Sequence, residues 1–250
     1  MAALAVGCGP GARDEQPAST SAVGTLPATS SSSPSNLARY LWDFDGVEPL
    51  AGWFQAEGIG VRSHNGGALE TIRPGVDGSA RAIRFPSLCM GESCPRVVLS
   101  VMDSRLDPGE QPFAFGAAVL VELDELSPDR GSNLVQKGLS GSAQWKLQID
   151  GGGEGYPSCV LRTADGESRV MVTSTVGVAD GRWHRIECRR TADQLVISVD
   201  AALAGSATVP VGYSVEPAEH PVTVGGNGPY VDNDQFHGAL DDVFLEFGPW

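Results

Sequence analysis

Apolar and polar residues alternate with a period of two along residues 184–188 and again along residues 195–199. The apolar side carries His184, Ile186 and Cys188 in the first stretch, and Leu195, Ile197 and Val199 in the second. Such alternation is typical of β-strands that bury one face. The pair Asp180-Gly181 ahead of the first stretch favours a turn, because both residues tolerate positive φ. The pattern predicts a β-hairpin over residues 180–201.

Short apolar runs separated by turn residues recur along most of the chain, and no stretch has a strong helical period. The predicted strands, outside the hairpin, cover residues 40–46, 67–72, 80–85, 96–102, 113–121, 133–137, 144–150, 158–163, 169–174, 222–225 and 240–247. Many short strands at this spacing indicate an all-β sandwich or barrel. A chain of this length can bury a sizeable core between two packed sheets.

The N-terminal part of the chain differs in composition. Residues 16–36 are dominated by Ser, Thr, Ala and Pro and contain no aromatic residue. Such a segment cannot bury enough apolar surface to offset the entropy of folding. We predict a disordered linker over residues 9–37 and one folded domain over residues 38–250.

The chain contains five cysteines, an odd number, and Cys8 stands apart from the rest. It follows a short apolar stretch that ends in Gly7 and precedes the polar tract. This arrangement resembles a bacterial lipobox, whose cysteine is lipidated and becomes the mature N-terminus. Ala5 stands where the pattern usually has Leu, and only seven residues precede the cysteine. Residues 1–8 are therefore interpreted as the remnant of a lipoprotein signal peptide. The alternative is an incidental cysteine.

The other four cysteines allow three pairings. We predict Cys89 with Cys94, which bracket a short loop, and Cys159 with Cys188. Cys188 lies on the apolar side of its strand, and Cys159 shares parity with Leu161. Two inward cysteines on neighbouring strands can meet disulfide geometry. Paired cysteines imply export from the cytosol.

The hairpin resembles the signature of laminin-G-like domains in the concanavalin A-like jelly-roll superfamily. Those domains carry Asp-Gly-x-Trp-His, matched by residues 180–184, and a second strand ending near Val-Asp-Gly, where this chain has Ala201. Residues 131–138 and 236–245 resemble two further strands in the same order. The resemblance covers residues 38–250 and implies an antiparallel two-sheet jelly-roll β-sandwich. It leaves the function open, because one fold hosts many activities.

The same superfamily includes β-glucanases, whose catalytic carboxylates alternate along one strand. Glu122 and Asp124 have that spacing, but the third carboxylate should fall where the chain has Leu126 and Ser127. Glu125 is expected to point to the opposite face. We therefore predict no catalytic residue and no enzymatic activity. A degenerate or unusual glycoside hydrolase is the alternative.

His184 is a second catalytic candidate, because it lies on the apolar side of its strand. A catalytic histidine needs a nucleophile and an orienting group nearby, and the sequence has no Gly-x-Ser-x-Gly elbow. We predict instead a buried histidine that is hydrogen-bonded to backbone groups.

Related jelly rolls bind a structural calcium between their first and last strands through an aspartate of the closing strand. The matching residue is Asp241, with Asp43 or Asp45 as its partner. Asp241 shares parity with Val243 and is expected to face inward, where a carboxylate needs hydrogen bonds or a cation. Either one calcium ion binds there, or Asp241 accepts backbone N–H bonds in a turn. The rim calcium site of laminin-G-like domains is not expected, because Gln144 stands where they have Asp.

Loop 225–234 is the best ligand-binding candidate, because loops at the rim of a sandwich often carry binding residues. Tyr230 could stack on a sugar ring, and Asn227, Asp232 and Asn233 could bind its hydroxyls. The alternative is that these are ordinary turn residues.

The formal net charge of -14 makes nucleic acid and anionic lipid headgroups poor partners. No apolar run reaches the roughly 18 residues that a membrane span needs. Together, these features predict a bacterial (actinobacterial-type) lipoprotein whose extracellular domain is anchored at the cell surface. Its predicted role is non-catalytic binding of a carbohydrate or a protein, with a purely structural surface domain as a further alternative.

Overall fold

The computed structural model describes residues 38–45, 59–78, 81–128, 130–164, 167–217 and 219–248. The predicted signal remnant with Cys8 and the predicted linker lie outside the described residues. The described residues form two short 3₁₀ turns, Ser104–Leu106 and Leu123–Glu125, and fifteen strands. The strands are β1 Ala38–Trp42, β2 Gly60–His64, β3 Glu70–Ile72, β4 Ala82–Arg84, β5 Arg96–Val101, β6 Phe113–Glu122, β7 Ser132–Gly138, β8 Gln144–Ile149, β9 Pro157–Arg162, β10 Arg169–Thr173, β11 Asp180–Arg190, β12 Gln194–Val199, β13 Ala202–Thr208, β14 Val222–Val224 and β15 Ala239–Phe247. No helix in this part of the chain has the length and apolar character of a membrane span.

The strands form two antiparallel sheets, as the sequence predicts. The first sheet has the order β13-β12-β11-β6-β15-β4-β3, with β1 also paired to β15. The second sheet has the order β10-β9-β8-β7-β14-β5-β2. Strands distant in sequence are neighbours in both sheets, as when β15 pairs with β6. The all-β sandwich is thereby confirmed.

Aromatic side chains fill the space between the two sheets. Phe113 and Phe115 of β6 stack with ring centroids 5.4 Å apart, and the Phe115 ring lies 4.9 Å from that of Trp145 on β8. All three side chains are fully buried. Because each aromatic side chain removes a large apolar area from water, this cluster contributes strongly to holding the two sheets together.

The two predicted disulfides are present. Cys159 of β9 and Cys188 of β11 are joined with their Cα atoms 5.8 Å apart. The two strands belong to opposite sheets and are not neighbours in one sheet, so this bond crosses the core. Cys89 and Cys94 close the short loop before β5, with a Cα–Cα distance of 5.6 Å.

The hairpin of β11 and β12 forms, but Asp180-Gly181 is not a turn. Both residues lie within β11, where the pairing with β6 shifts register between Asp180 and Trp183. Gly181 has a φ of 74° at this irregularity. A bulge uses the positive φ that glycine tolerates in the same way as a turn does, so the residue pair alone does not distinguish the two.

Two strands escape prediction from the sequence. β2 and β13 lie at the edges of their sheets, where one side of the strand has no partner. Neither strand alternates large apolar residues with polar ones, since most side chains of β2 are exposed and β13 consists mainly of small residues. Their pairing depends on backbone hydrogen bonds, which leave no periodic signal in the sequence.

Candidate functional site

Loop 225–235, which follows β14, is held in a fixed shape by side-chain amides. The Nε2 of Gln235 donates to the carbonyl of Gly225 at 2.6 Å, and its Oε1 accepts from the backbone N–H of Val97 at 2.9 Å. The Nδ2 of Asn233 donates to the carbonyl of Gly228 at 2.7 Å. These bonds fasten the loop to β5 and across its own width. A preformed loop loses little entropy when a ligand binds.

Asn227 also serves the loop itself. Its Nδ2 donates to Asp234 Oδ2 at 2.9 Å, and its Oδ1 accepts from the Nδ2 of Asn133 on β7. The backbone N–H of Asn133 donates to the Asp234 carbonyl at 2.9 Å. The amide of Asn227 therefore stabilises the loop, as expected for the alternative that it is an ordinary turn residue.

A cavity of about 180 Å³ lies on the outer face of the second sheet, and we call it the face cavity. Its floor includes Val98, Ser100, Gln136 and Thr223 from strands β5, β7 and β14, and its wall includes Tyr230 from the loop. Thr223 pairs with Ser100 and Gln136 across the sheet, on the side opposite to the core.

The chemistry of the face cavity is mixed. Tyr230 is 42% exposed and lines the cavity. Thr223 is only 3% exposed, and its Oγ1 has no hydrogen-bond partner among the described residues. Burial, and then the negative charge of Asp234, raise the pKa of Tyr230, so its hydroxyl stays protonated and can donate. A buried hydroxyl without a partner costs free energy unless something bonds to it.

A second cavity, of about 280 Å³, opens on the other side of the same loop, and we call it the rim cavity. It lies between the loop that Cys89 and Cys94 close, residues 232–235, and the three residues Ser127, Arg130 and Gly131. Arg96 at the start of β5 contributes a guanidinium to its lining. On its edge, Arg130 Nη1 and Asp232 Oδ1 form an exposed ion pair at 2.7 Å.

The four predicted ligand-binding residues divide between these two cavities. Asn227 and Tyr230 line the face cavity, and Asp232 and Asn233 line the rim cavity. Sequence reasoning missed Thr223 and the other sheet residues, because an outward polar residue on a strand is ordinarily read as solvent-exposed. It also missed Arg96, which only the fold brings beside the loop.

The glucanase-like acidic stretch does not form an alternating strand. β6 ends at Glu122, and Asp124 lies in the 3₁₀ turn that follows. Glu125 pairs with Arg84, and its second oxygen accepts from the backbone N–H of Glu122 at 2.9 Å. Glu125 thereby caps the turn, and the three carboxylates do not alternate along one strand as those of the β-glucanases do.

The prediction that backbone groups satisfy His184 is wrong. Its Nδ1 lies 2.8 Å from Asp200 Oδ2, and its Nε2 lies 3.1 Å from Asp180 Oδ1. Hydrogen bonds from Arg182, and then from His184, hold the pKa of Asp180 at about 2. Hydrogen bonds from the Arg185 backbone N–H and from His184 outweigh burial and lower the pKa of Asp200. This cluster joins the ends of strands β11 and β12.

The parity of Asp241 in the sequence predicts a side chain that faces the core. The structure contradicts this prediction. The pairing of β15 with β6 shifts register between Asp241 and Phe244, and Asp242 has a φ of 43°. This bulge lets both Leu240 and Val243 point inward. Asp241 is instead buried on the outer side, and only 2% of it is exposed.

Backbone N–H groups donate hydrogen bonds to the Asp241 carboxylate, which is one of the two arrangements that the sequence predicts. Its Oδ2 accepts from Val76 at 3.0 Å and its Oδ1 from Asp242 at 2.8 Å. Burial raises its pKa to about 6, and the charges of Asp242 and Asp45 add to the shift. Asp45 Oδ1 accepts from the backbone of Arg81 at 2.8 Å.

The predicted calcium ligands are only partly brought together. Asp45 is close enough to Asp241 to raise its pKa, whereas Asp43 Oδ1 accepts from the backbone N–H of Asp45 at 3.2 Å. Among the described residues, no group of three or more His, Cys, Asp or Glu side chains is arranged to hold a metal ion. A calcium ion here would have two carboxylates, Asp45 and Asp241, and would need backbone carbonyls for its remaining ligands.

The fold and these two cavities define a jelly-roll sandwich with a hydrogen-bonded loop between two cavities. Residues 108–245, more than half of the chain, match the laminin G model of the Concanavalin A-like lectin/glucanases superfamily. The chain belongs to this family. No curated protein matches the chain.

Solved structures share the fold at low sequence identity. The binding domain of botulinum neurotoxin serotype C1 is 12% identical, with a TM-score of 0.51 over 75% of this chain and 43% of that one. The binding domain of botulinum neurotoxin DC in complex with SialylT is 11% identical, with a TM-score of 0.50 over 75% and 42%. A third structure comes from work on botulinum neurotoxin type C, whose cell entry depends on two ganglioside molecules. It is 12% identical, with a TM-score of 0.51 over 75% and 42%. This chain therefore spans less than half of the length of each.

Proposed function

We propose that this domain is a non-catalytic, extracellular binding module that holds a carbohydrate in the face cavity. The observation that carries the proposal is the buried, unpartnered hydroxyl of Thr223 on the floor of a cavity that Tyr230 borders. A sugar hydroxyl can bond to Thr223 while the apolar face of the sugar ring packs on the tyrosine.

Family membership supports this proposal at a coarser level. The family name includes lectins, and one neurotoxin relative of the fold has SialylT bound. Because this chain spans less than half of that protein, the ligand supports a binding role and does not identify the binding site. A protein partner is the second candidate for the same surface, and the experiment below tests the carbohydrate.

The proposal is tested on a glycan array with the full chain, the Tyr230→Ala variant and the Tyr156→Ala variant. Tyr156 is a matched control, since it is a partly exposed tyrosine whose hydroxyl bonds to Glu154 away from both cavities. We expect wild type and Tyr156→Ala to bind the same glycans and Tyr230→Ala to lose roughly tenfold or more in affinity. Equal binding by all three proteins, or binding to none of the glycans, would exclude the proposed sugar site.

The absence of catalysis belongs to the same proposal. Glu122 and Glu125 are committed to a turn and to Arg84, so we expect no hydrolysis of β-glucans. The measurement is the release of reducing sugar by wild type and by Glu122→Gln. Release that Glu122→Gln abolishes would require an enzymatic function.

We also propose that Cys8 is lipidated in a bacterial, actinobacterial-type protein and that residues 9–37 tether the domain to the cell surface. Two disulfides, which are typical of exported proteins, support export. Mass spectrometry of the N-terminal peptide after expression in a bacterial host tests the modification. An unmodified Cys8 within an intact N-terminus would contradict it.

One structural calcium ion at Asp241 and Asp45 remains a proposal as well. Burial, and to a smaller extent the charges of Asp242 and Asp45, raise the pKa of Asp241, and a bound divalent cation would stabilise the ionised carboxylate against both effects. Calcium should raise the midpoint of thermal unfolding in wild type and not in Asp241→Ala. If a chelator leaves the wild-type midpoint unchanged and the purified protein contains no metal, the backbone hydrogen bonds alone explain the buried carboxylate.

A further inference from the structure

The rim cavity contains a buried guanidinium, that of Arg96, which forms no ion pair with a carboxylate of the described residues. Arg96 is 8% exposed, and its Nη1 and Nη2 donate to the carbonyls of Pro95 and Cys89 at 3.2 and 3.5 Å. Among the described residues, no carboxylate lies within 4.0 Å of it, although Asp232 is close enough to act on its charge. Asp232 forms its own ion pair with Arg130. A buried positive charge of this kind favours an anionic ligand.

Two buried polar groups on the same cavity also have no partner among the described residues. Asn233 is 1% exposed and its Oδ1 is unpartnered, and Ser127 is 8% exposed and its Oγ is unpartnered. The orientation of the Asn233 amide is fixed, because its Nδ2 donates to Gly228 O and to Gln235 Oε1. Its Oδ1 can only accept, so it needs a ligand group that donates a hydrogen bond.

We infer that the rim cavity binds one hexuronic acid unit, with the carboxylate at Arg96 and ring hydroxyls at Asn233 Oδ1 and Ser127 Oγ. The inference rests on the proposed function only in taking the ligand to be a sugar, and it concerns a different cavity. The planar guanidinium matches a carboxylate in a bidentate geometry. A volume of about 280 Å³ lies at the small end of ligand pockets, which suits a single unit.

A hexuronate fits this cavity better than phosphate does. Asp232 and Asp234 also line it, so a dianion meets more repulsion there than a group with a single negative charge. Inorganic phosphate also lacks ring hydroxyls. While it binds Arg96, it therefore has no further group to donate to Asn233 Oδ1 and Ser127 Oγ. The ligand must combine one anionic group with hydroxyl donors on the same small ring.

The test is isothermal titration calorimetry on the full chain at pH 7 with glucuronate, its methyl ester, glucose and inorganic phosphate. We expect glucuronate to bind roughly tenfold or more tightly than each of the other three, because only glucuronate offers both the carboxylate and the hydroxyls. The variants are Arg96→Gln, Ser127→Ala and the control Arg73→Gln. Arg73 is exposed and lies outside both cavities.

Arg96→Gln should weaken glucuronate binding roughly tenfold or more, Ser127→Ala a few fold, and Arg73→Gln not at all. Thermal unfolding of each variant shows whether it folds. If Arg96→Gln is unfolded, the ligand series on wild type and the Ser127→Ala variant decide the question. Equal binding of glucuronate and its methyl ester, or equal binding of glucuronate and phosphate, overturns the inference. Glycan binding that depends on Tyr230 without any glucuronate response overturns it too, while leaving the proposed function in place.

Discussion

Thr223 buries its hydroxyl on the outer face of a sheet, where polar side chains in sandwiches ordinarily meet water. Since the Oγ1 atom has no partner among the described residues, the folded protein loses the hydration of this group without replacing it. Binding sites often keep such a cost, because removing it would also remove the ligand contact. Stability and binding are therefore expected to change in opposite directions at this residue.

Replacing Thr223 with valine tests that opposition. Valine keeps the shape and removes the hydroxyl, so the free energy of unfolding should rise by about 1 kcal/mol. Affinity for the glycan ligand should fall roughly fivefold or more. Urea denaturation and calorimetry measure the two effects. A Thr223→Val protein that is less stable than wild type would show that the hydroxyl is already satisfied in the folded protein.

Asp241 predicts a pH dependence of stability with a definite sign. Its pKa is raised by burial to about 6 in the folded protein, from an ordinary value of 3.8. The folded state thus holds the proton more tightly, and the stabilising contribution is complete below pH ~4 and lost as the pH rises through about 6. Relative to Asp241→Asn, wild type should lose roughly 2 kcal/mol between pH 4 and 7.

Urea denaturation of both proteins across this pH range, with a chelator present, gives the difference directly. Subtracting the Asp241→Asn curve removes the titration of all other groups that the two proteins share. A difference that stays constant with pH would mean that folding leaves the pKa of Asp241 at its ordinary value. Added calcium should flatten the slope if the ion binds the ionised form.

The turn between β12 and β13 consists of Asp200 and Ala201, with φ values of 50° and 64°. Positive φ at both positions is what type I′ hairpin turns require, and glycine is the favoured residue there. Asp200 tolerates this conformation and uses its carboxylate to accept from the Arg185 backbone at 2.8 Å. Ala201 has no such compensation, and its Cβ is strained in the left-handed region.

Ala201→Gly should therefore stabilise the protein by about 1 kcal/mol, despite the greater freedom of glycine in the unfolded chain. The matched control is Ala202→Gly, one residue later at the exposed start of β13. That change should destabilise by roughly 0.5–1 kcal/mol, because a strand residue gains nothing from positive φ. Thermal or urea unfolding measures both, and a loss of stability in Ala201→Gly would contradict the strain argument.

At the scale of elements, the sequence predicts the strands in which apolar and polar residues alternate, and it does not predict the β-bulges. The core face of the β11–β12 hairpin follows from its period of two, because only one register buries Ile186 and Cys188. The bulges at Gly181 and at Asp241 change parity within a strand. Such a shift depends on the pairing partner, β6 in both cases, and the local sequence does not record it.

At the scale of the whole molecule, the sequence pointed to the loop that borders both cavities but not to the residues that surround it. Tyr230 and its neighbours carry turn and stacking chemistry that can be read locally. Thr223, Arg96 and Ser127 come from three separate parts of the chain, and the antiparallel order of the second sheet and its connecting loops brings them to the two sides of loop 225–235. Pairings between distant strands of this kind are set by topology, which one sequence does not reveal.

The central claim is that the two sides of loop 225–235 form the binding surface of this domain. Amide chemical-shift mapping by NMR, with the tightest glycan found on the array added to the labelled full chain, tests it most directly. We expect the largest changes at Thr223 and at residues 227–230, with a second set at Ser127, Arg130 and Gly131 if the glycan contains a uronic acid. Changes centred elsewhere, on the first sheet or around Glu122, would contradict it.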